Sequence, residues 1–221
     1  MIEHVTLPSG VPARLARPAS GEATAGLVIA PDIGGLRPLF DDLCQRLADE
    51  NGWVVCAPEP FPGREQMKLD ERMAAMTGLV DGTQVGALVE AADATGAERV
   101  GLVGFCMGGM YALKASGTGR FSRCVAFYGM IRVPEDWQSE GQGGPLDAVT
   151  TPGASPVLAI VGTNDPYTPA GDVDDLEATG AEVVRYEGAE HGFVHDPSRP
   201  AHRPDDAADA WRRAIAFLDG R

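Results

Sequence analysis

The sequence predicts an α/β fold, with a mostly parallel central sheet flanked by helices on both faces. Strand-like runs of Val, Ile, Leu and Ala alternate with longer helical patterns from Leu27 onward. The runs are apolar throughout rather than alternating in polarity, as strands buried on both faces require. At 221 residues and 44% apolar content the chain is long enough for one large core, so one domain over residues 1–221 is expected.

Two short runs, residues 4–7 and 13–16, open the chain, and Pro8, Ser9 and Gly10 between them predict an antiparallel hairpin. Six strands are then predicted at residues 26–30, 53–57, 99–103, 124–128, 157–161 and 182–186. Apolar residues at three- and four-residue spacing predict helices over residues 39–50, 84–95, 107–116, 172–179 and 204–218. The last helix carries Ala207, Trp211, Ala214, Ile215 and Leu218 on one face, which should dock on the sheet. Residues 130–153, with Pro134, Gly141, Gly143, Gly144 and Pro145, read as a loop of functional length.

With 32 acidic against 18 basic residues the net charge is -14, which disfavours nucleic acid and anionic membranes as partners. No run approaches membrane-spanning length. Residues 1–10 hold Glu3 and His4 rather than a basic cluster and an apolar stretch, so no secretory leader is expected. Cys44, Cys56, Cys106 and Cys124 are far apart and form no C-x-x-C pair, which fits free thiols in a reducing, cytoplasmic setting. Three of them sit in apolar patterns where cysteine acts as a small buried hydrophobe.

The fourth, Cys106, is the centre of Gly104-Phe105-Cys106-Met107-Gly108. This is G-x-S-x-G with cysteine as the nucleophile, placed between a predicted strand and a predicted helix as that turn requires. At the start of a helix a thiol feels the positive end of the helix dipole, which favours the reactive thiolate. Asp165 follows the strand at 157–161 and His191 follows the strand at 182–186. The resulting order of nucleophile, acid and histidine is that of the α/β-hydrolase fold. Asn164, Asp174 and Asp175 are alternatives for the acid. The oxyanion hole is expected from the N–H groups of Met107 and of Ile33 in Pro31-Asp32-Ile33-Gly34-Gly35. A metal site on His191, His195 and His202 is disfavoured, because Gly192 and Pro197 break the helix that would align the first two.

Pro31 to Gly35, Gly104 to Gly109, Asp165 and Glu190-His191-Gly192-Phe193 together resemble the dienelactone hydrolase family. Cys56-Ala57-Pro58-Glu59 and Val125-Ala126-Phe127-Tyr128-Gly129 extend the likeness over nearly the whole chain. The resemblance implies hydrolysis of a cyclic enol ester such as a dienelactone, without a cofactor or metal. It also implies that Asp32 stands where the family has a thiol-assisting glutamate. Of the two family arginines that hold a substrate carboxylate, one neighbourhood contains Arg64, and His195 matches the other. Arg199 would substitute only if its loop folds back.

The expected function is therefore cleavage of a small ester or lactone through a Cys-His-Asp triad and a thioester acyl-enzyme, in a monomer or small homo-oligomer. A thioesterase or carboxylesterase acting on an acyclic substrate is the alternative within the same chemistry. A non-catalytic ligand or redox sensor using Cys106 is the alternative outside it.

Overall fold

The computed structural model describes residues 2–19 and 23–220. The first two strands, β1 (Ile2–Thr6) and β2 (Pro12–Ala16), form the antiparallel hairpin. β2 pairs antiparallel with β4 (Trp53–Pro58), and β3 (Ala25–Ala30), β5 (Val100–Phe105), β6 (Cys124–Phe127), β7 (Val157–Gly162) and β8 (Glu182–Tyr186) join β4 in parallel. The eight-stranded order is β1-β2-β4-β3-β5-β6-β7-β8.

The continuous apolar runs are explained by burial of both sheet faces. In β3, Val28 and Ala30 point into one core and Leu27 and Ile29 into the other. Helices α1 (Pro38–Asn51) and α7 (Pro204–Asp219) cover the second of these cores, whereas α3 (Asp81–Ala94), α4 (Met107–Ser116) and α6 (Ala170–Ala178) cover the first. Both α1 and α7 begin with proline in the first turn, where its missing N–H costs nothing. Each ends at a left-handed glycine, Gly52 or Gly220.

Two short helices depart from the sequence expectation: α2 (Leu69–Ala74), and α5 (Pro145–Val149) inside the stretch read as loop. At six and five residues they are too short to show a helical period. β6 ends at Phe127 because Tyr128 turns to φ 39 and leaves the strand.

The chain moves from β3 outward to β4 and then returns to β5 on the other side of β3. Loops after β3 and β5 therefore diverge at the carboxyl edge of the sheet, the usual place for a crevice in an α/β fold.

Candidate active site

Cys106 sits alone between β5 and α4 at φ 56 and ψ -119, one of two non-glycine residues with positive φ among those described. The turn is tight because its glycines touch other backbone. A Cβ on Gly104 would lie 2.0 Å from the Gly108 oxygen, and one on Gly108 would lie 2.1 Å from the Ala30 oxygen. This second contact presses the loop after β3 against the first turn of α4. Neither the Ile33 nor the Met107 N–H takes a hydrogen-bond partner among the described residues. The other three cysteines are fully buried, and burial pushes the Cys56 thiol up to about 12, leaving Cys106 as the half-exposed one.

Asp165, just past β7, is buried and accepts two hydrogen bonds. One is from the Tyr167 N–H at 2.8 Å and the other from His191 Nδ1, also at 2.8 Å. This fixes the histidine tautomer and leaves His191 Nε2 buried without a hydrogen-bond partner among the described residues. Burial opposes a charged ring, but the bond to Asp165 and the neighbouring Cys106 sulfur outweigh it and hold His191 up at about 9.

His195 and Asp32 are bonded to each other. The His195 side chain is fully buried, stacked on Phe105 at 4.7 Å, and outside the pocket lining that includes Asp32. Its Nε2 donates to Asp32 Oδ2 at 2.8 Å, and its Nδ1 meets the hydroxyl of Tyr128. Because a carboxylate only accepts, Nε2 carries the proton and Nδ1 receives the Tyr128 O–H. Burial pushes the Tyr128 phenol well up, so it keeps that proton.

Asp32 also accepts from Arg37 Nη1 and Nη2 at 2.6 and 2.8 Å and from the Gly34 N–H at 2.9 Å. Burial alone would raise its pKa, but the bonds from His195 and Arg37 hold it well below the usual carboxylate range. With both oxygens occupied, Asp32 makes no hydrogen bond to Cys106.

Cys106 and His191 line a pocket of about 540 Å³ together with Asp32, Ile33, Arg37 and Arg199. Arg64 is exposed and outside that lining. The loop beyond His191 does fold back, setting the Arg199 guanidinium against Gly192, where a Cβ would lie 2.4 Å from Nη1. Gly34 and Asp196 also line it, and the apolar part of the wall is formed by Leu69, Met73, Met130, Trp137 and Tyr167. The sequence offers residues 60–70 and 130–153 as pocket walls, and Leu69, Met130 and Trp137 come from those stretches, whereas Met73 and Tyr167 lie outside them.

A buried ion pair supports the pocket from beneath. Glu59 Oε2 accepts the Leu36 N–H at 2.9 Å, and Oε1 accepts the Phe61 N–H at 3.0 Å and Arg72 Nη1 at 3.2 Å. Arg72 in turn donates to the Glu65 and Met67 carbonyls at 2.7 and 3.2 Å. One pair thus ties the loop after β3 to α2. Arg72→Met should destabilise the fold by about 3–5 kcal/mol, because it strands a buried carboxylate. Adding Glu59→Leu to that variant should restore part of the loss. Urea unfolding of wild type, single and double variants reads both effects.

A family model described as the dienelactone hydrolase family matches residues 11–220. The chain is 30% identical to the probable 2-oxo-3-(5-oxofuran-2-ylidene)propanoate lactonase of Bradyrhizobium sp., over 93% of this chain and 88% of that protein. It is 28% identical to the carboxymethylenebutenolidase of Rhodococcus opacus, over 91% and 84% of the two chains. A crystal structure from Klebsiella pneumoniae subsp. pneumoniae MGH 78578, assigned as a dienelactone hydrolase, superposes with a TM-score of 0.86 at 25% identity, covering 100% and 99% of the chains. A family match over almost every residue, together with a superposition that covers the whole chain, leads to one conclusion: the chain belongs to the dienelactone hydrolase family and is a hydrolase.

Proposed function

We propose that this hydrolase cleaves a small ester or enol lactone through a Cys106–His191–Asp165 triad and a thioester acyl-enzyme. The observation that carries the reading is the state of His191. Its Nδ1–H is tied to buried Asp165, and its unpartnered Nε2 belongs to the pocket that Cys106 lines.

His191 already holds the proton given up by the thiol, as the imidazolium that its raised pKa favours, and the sulfur adds to the substrate carbonyl carbon. The oxyanion accepts hydrogen bonds from the Ile33 and Met107 N–H groups. As the tetrahedral species collapses, the C–O bond breaks and the leaving oxygen takes the proton from His191. A water then gives a proton to His191 and its hydroxide to the thioester carbonyl. The C–S bond breaks, the acid leaves, and the sulfur again stands beside a protonated His191. A stabilised leaving group such as an enolate suits a thiolate nucleophile, because it departs without strong protonation.

The relatives' names describe lactones that carry a carboxylate, and this pocket offers one uncommitted cation to meet such a group. Arg37 is neutralised by Asp32, whereas Arg199 has no ion-pair partner among the described residues. A local guanidinium is needed because the net charge of -14 repels an anion at long range.

Cys106→Ala should abolish turnover of an activated lactone while leaving the unfolding midpoint unchanged, and wild type should accumulate an acyl adduct on Cys106 visible by mass spectrometry. Residual turnover above a few per cent of wild type in Cys106→Ala would overturn the assignment.

The pH dependence follows from His191. Its folded pKa of about 9 exceeds the ordinary 6.5, so the imidazolium stabilises the fold fully below pH 6.5 and loses that contribution as pH rises through about 9. kcat/KM should fall on the same alkaline limb as the leaving-group acid is lost. Asp165→Asn removes one cause of the raised value and should move the limb to lower pH. A pH–rate profile in which the limb stays put would detach His191 from the chemistry.

Arg199→Ala should lower kcat/KM for a carboxylated lactone by about ten- to a hundred-fold, the worth of one charged hydrogen bond. Its effect on a matched neutral lactone should be much smaller, and Arg64→Ala should affect neither. Steady-state kinetics on the two lactones decides it.

A further inference from the structure

Among the described residues, the large hydrophobic side chains exposed to solvent are Leu69, Met73, Val80 and Tyr167. Three of those four line the Cys106 pocket, with Leu69 61%, Tyr167 44% and Met73 36% exposed. Scattered apolar exposure is ordinary on any protein surface, but exposure gathered around a reactive group marks a place where something apolar binds.

Leu69 and Met73 are four residues apart on α2 and share one face of it. That helix is anchored, because Arg72 between them is buried on Glu59, which also holds the Leu36 N–H. The two side chains therefore belong to a fixed wall beside the loop that carries Ile33. Tyr167 lies edge-on against His191 with ring centroids 4.9 Å apart. In the reaction proposed above, His191 protonates the leaving group, so Tyr167 belongs with the leaving group, whereas α2 is tied through Arg72 and Glu59 to the loop of the oxyanion residue Ile33 and is assigned to the acyl part.

Size points the same way. A cleft of about 540 Å³ falls within the range of sites that take small organic ligands, and its apolar lining leaves room beside the reacting carbonyl for more than a small polar ring.

We infer that the substrate carries, besides its anionic group, an apolar arm of several carbons on the acyl side, seated on Leu69 and Met73. The inference rests on the Cys106 reading for which side is acyl. A small, fully polar lactone would gain nothing from this wall, whereas each methylene laid on it leaves water.

The test is kcat/KM for p-nitrophenyl acetate, butyrate and hexanoate in wild type and in the double variant Leu69→Ser with Met73→Ser. Both side chains are exposed, so the fold should survive, and the unfolding midpoint checks that it does. Wild type should prefer hexanoate to acetate by about tenfold or more. The double variant should bring that ratio close to one. A flat or falling series in wild type, or an unchanged ratio in the double variant, overturns the inference.

A second measurement needs no turnover: calorimetric binding of hexanoate and acetate to wild type and to the double variant. Hexanoate should bind wild type at least about tenfold more tightly, with the difference lost in the double variant. If the esters prove inert yet hexanoate shows this preference, the Cys106 chemistry fails and the apolar seat stands. Equal binding of the two acids, together with a flat ester series, removes the seat and leaves the triad reading intact.

Discussion

Between Phe105 and Met107 the chain reverses direction across one residue, and room for this exists only because the surrounding backbones meet without side chains between them. Gly104 faces the Gly108 carbonyl, and Gly108 faces the Ala30 carbonyl, so a single methyl at either position would collide with main chain. The positive φ of Cys106 costs of the order of 1–3 kcal/mol for a non-glycine residue. It is held by hydrogen bonds from Cys106 N to the Phe127 oxygen and from Met110 N to the Cys106 oxygen. The same contacts bring the loop after β3 to the first turn of α4. The spacing of Ile33, Met107 and the Cys106 sulfur is thus set by backbone packing before any side chain is chosen.

Two histidines four residues apart show how environment divides one side-chain type into two jobs. His191 spends one nitrogen on Asp165 and keeps the other, beside Cys106, without a partner. His195 spends both, one on Asp32 and one on Tyr128, inside an aromatic cluster that includes Phe40 and Phe105. A histidine with both nitrogens committed is a structural strut. One held in a fixed tautomer with a nitrogen to spare can move a proton.

Much of this was legible in the sequence, for physical reasons that also explain the gaps. Buried parallel strands must be continuously apolar, so β3 to β7 announce themselves, and the glycines flanking Cys106 mark the elbow. Asp165 and His191 follow because each stands just beyond a strand end. Short elements such as α2 left no period to read, and with them went Met73 and the Glu59–Arg72 pair. The choice among arginines was equally hidden. Arg64 is nearer the expected neighbourhood in sequence, but Arg199 reaches the pocket only because Gly192, at φ 81, lets the chain turn back. Asp32 was found by position, but nothing local reveals that His195, 163 residues away, will bond it.

That bond bears on how the thiol is activated. A carboxylate free to swing toward the sulfur would have to leave its donors, and Asp32 has four: the Gly34 N–H, two Arg37 nitrogens and His195. Breaking a buried, charge-assisted set of this kind costs several kcal/mol, more than one hydrogen bond to a thiol returns. Asp32 is therefore a fixed anion. It pins the Gly34 end of the loop that presents Ile33 and cancels the charge of Arg37. On the proposed mechanism the thiolate then depends on His191 and the start of α4 alone. The same immobility bears on recognition: Asp32 cancels Arg37, which leaves Arg199 as the pocket-lining arginine with no ion pair among the described residues, in a pocket whose loop bearing Ile33 is tied to α2 by Glu59 and Arg72.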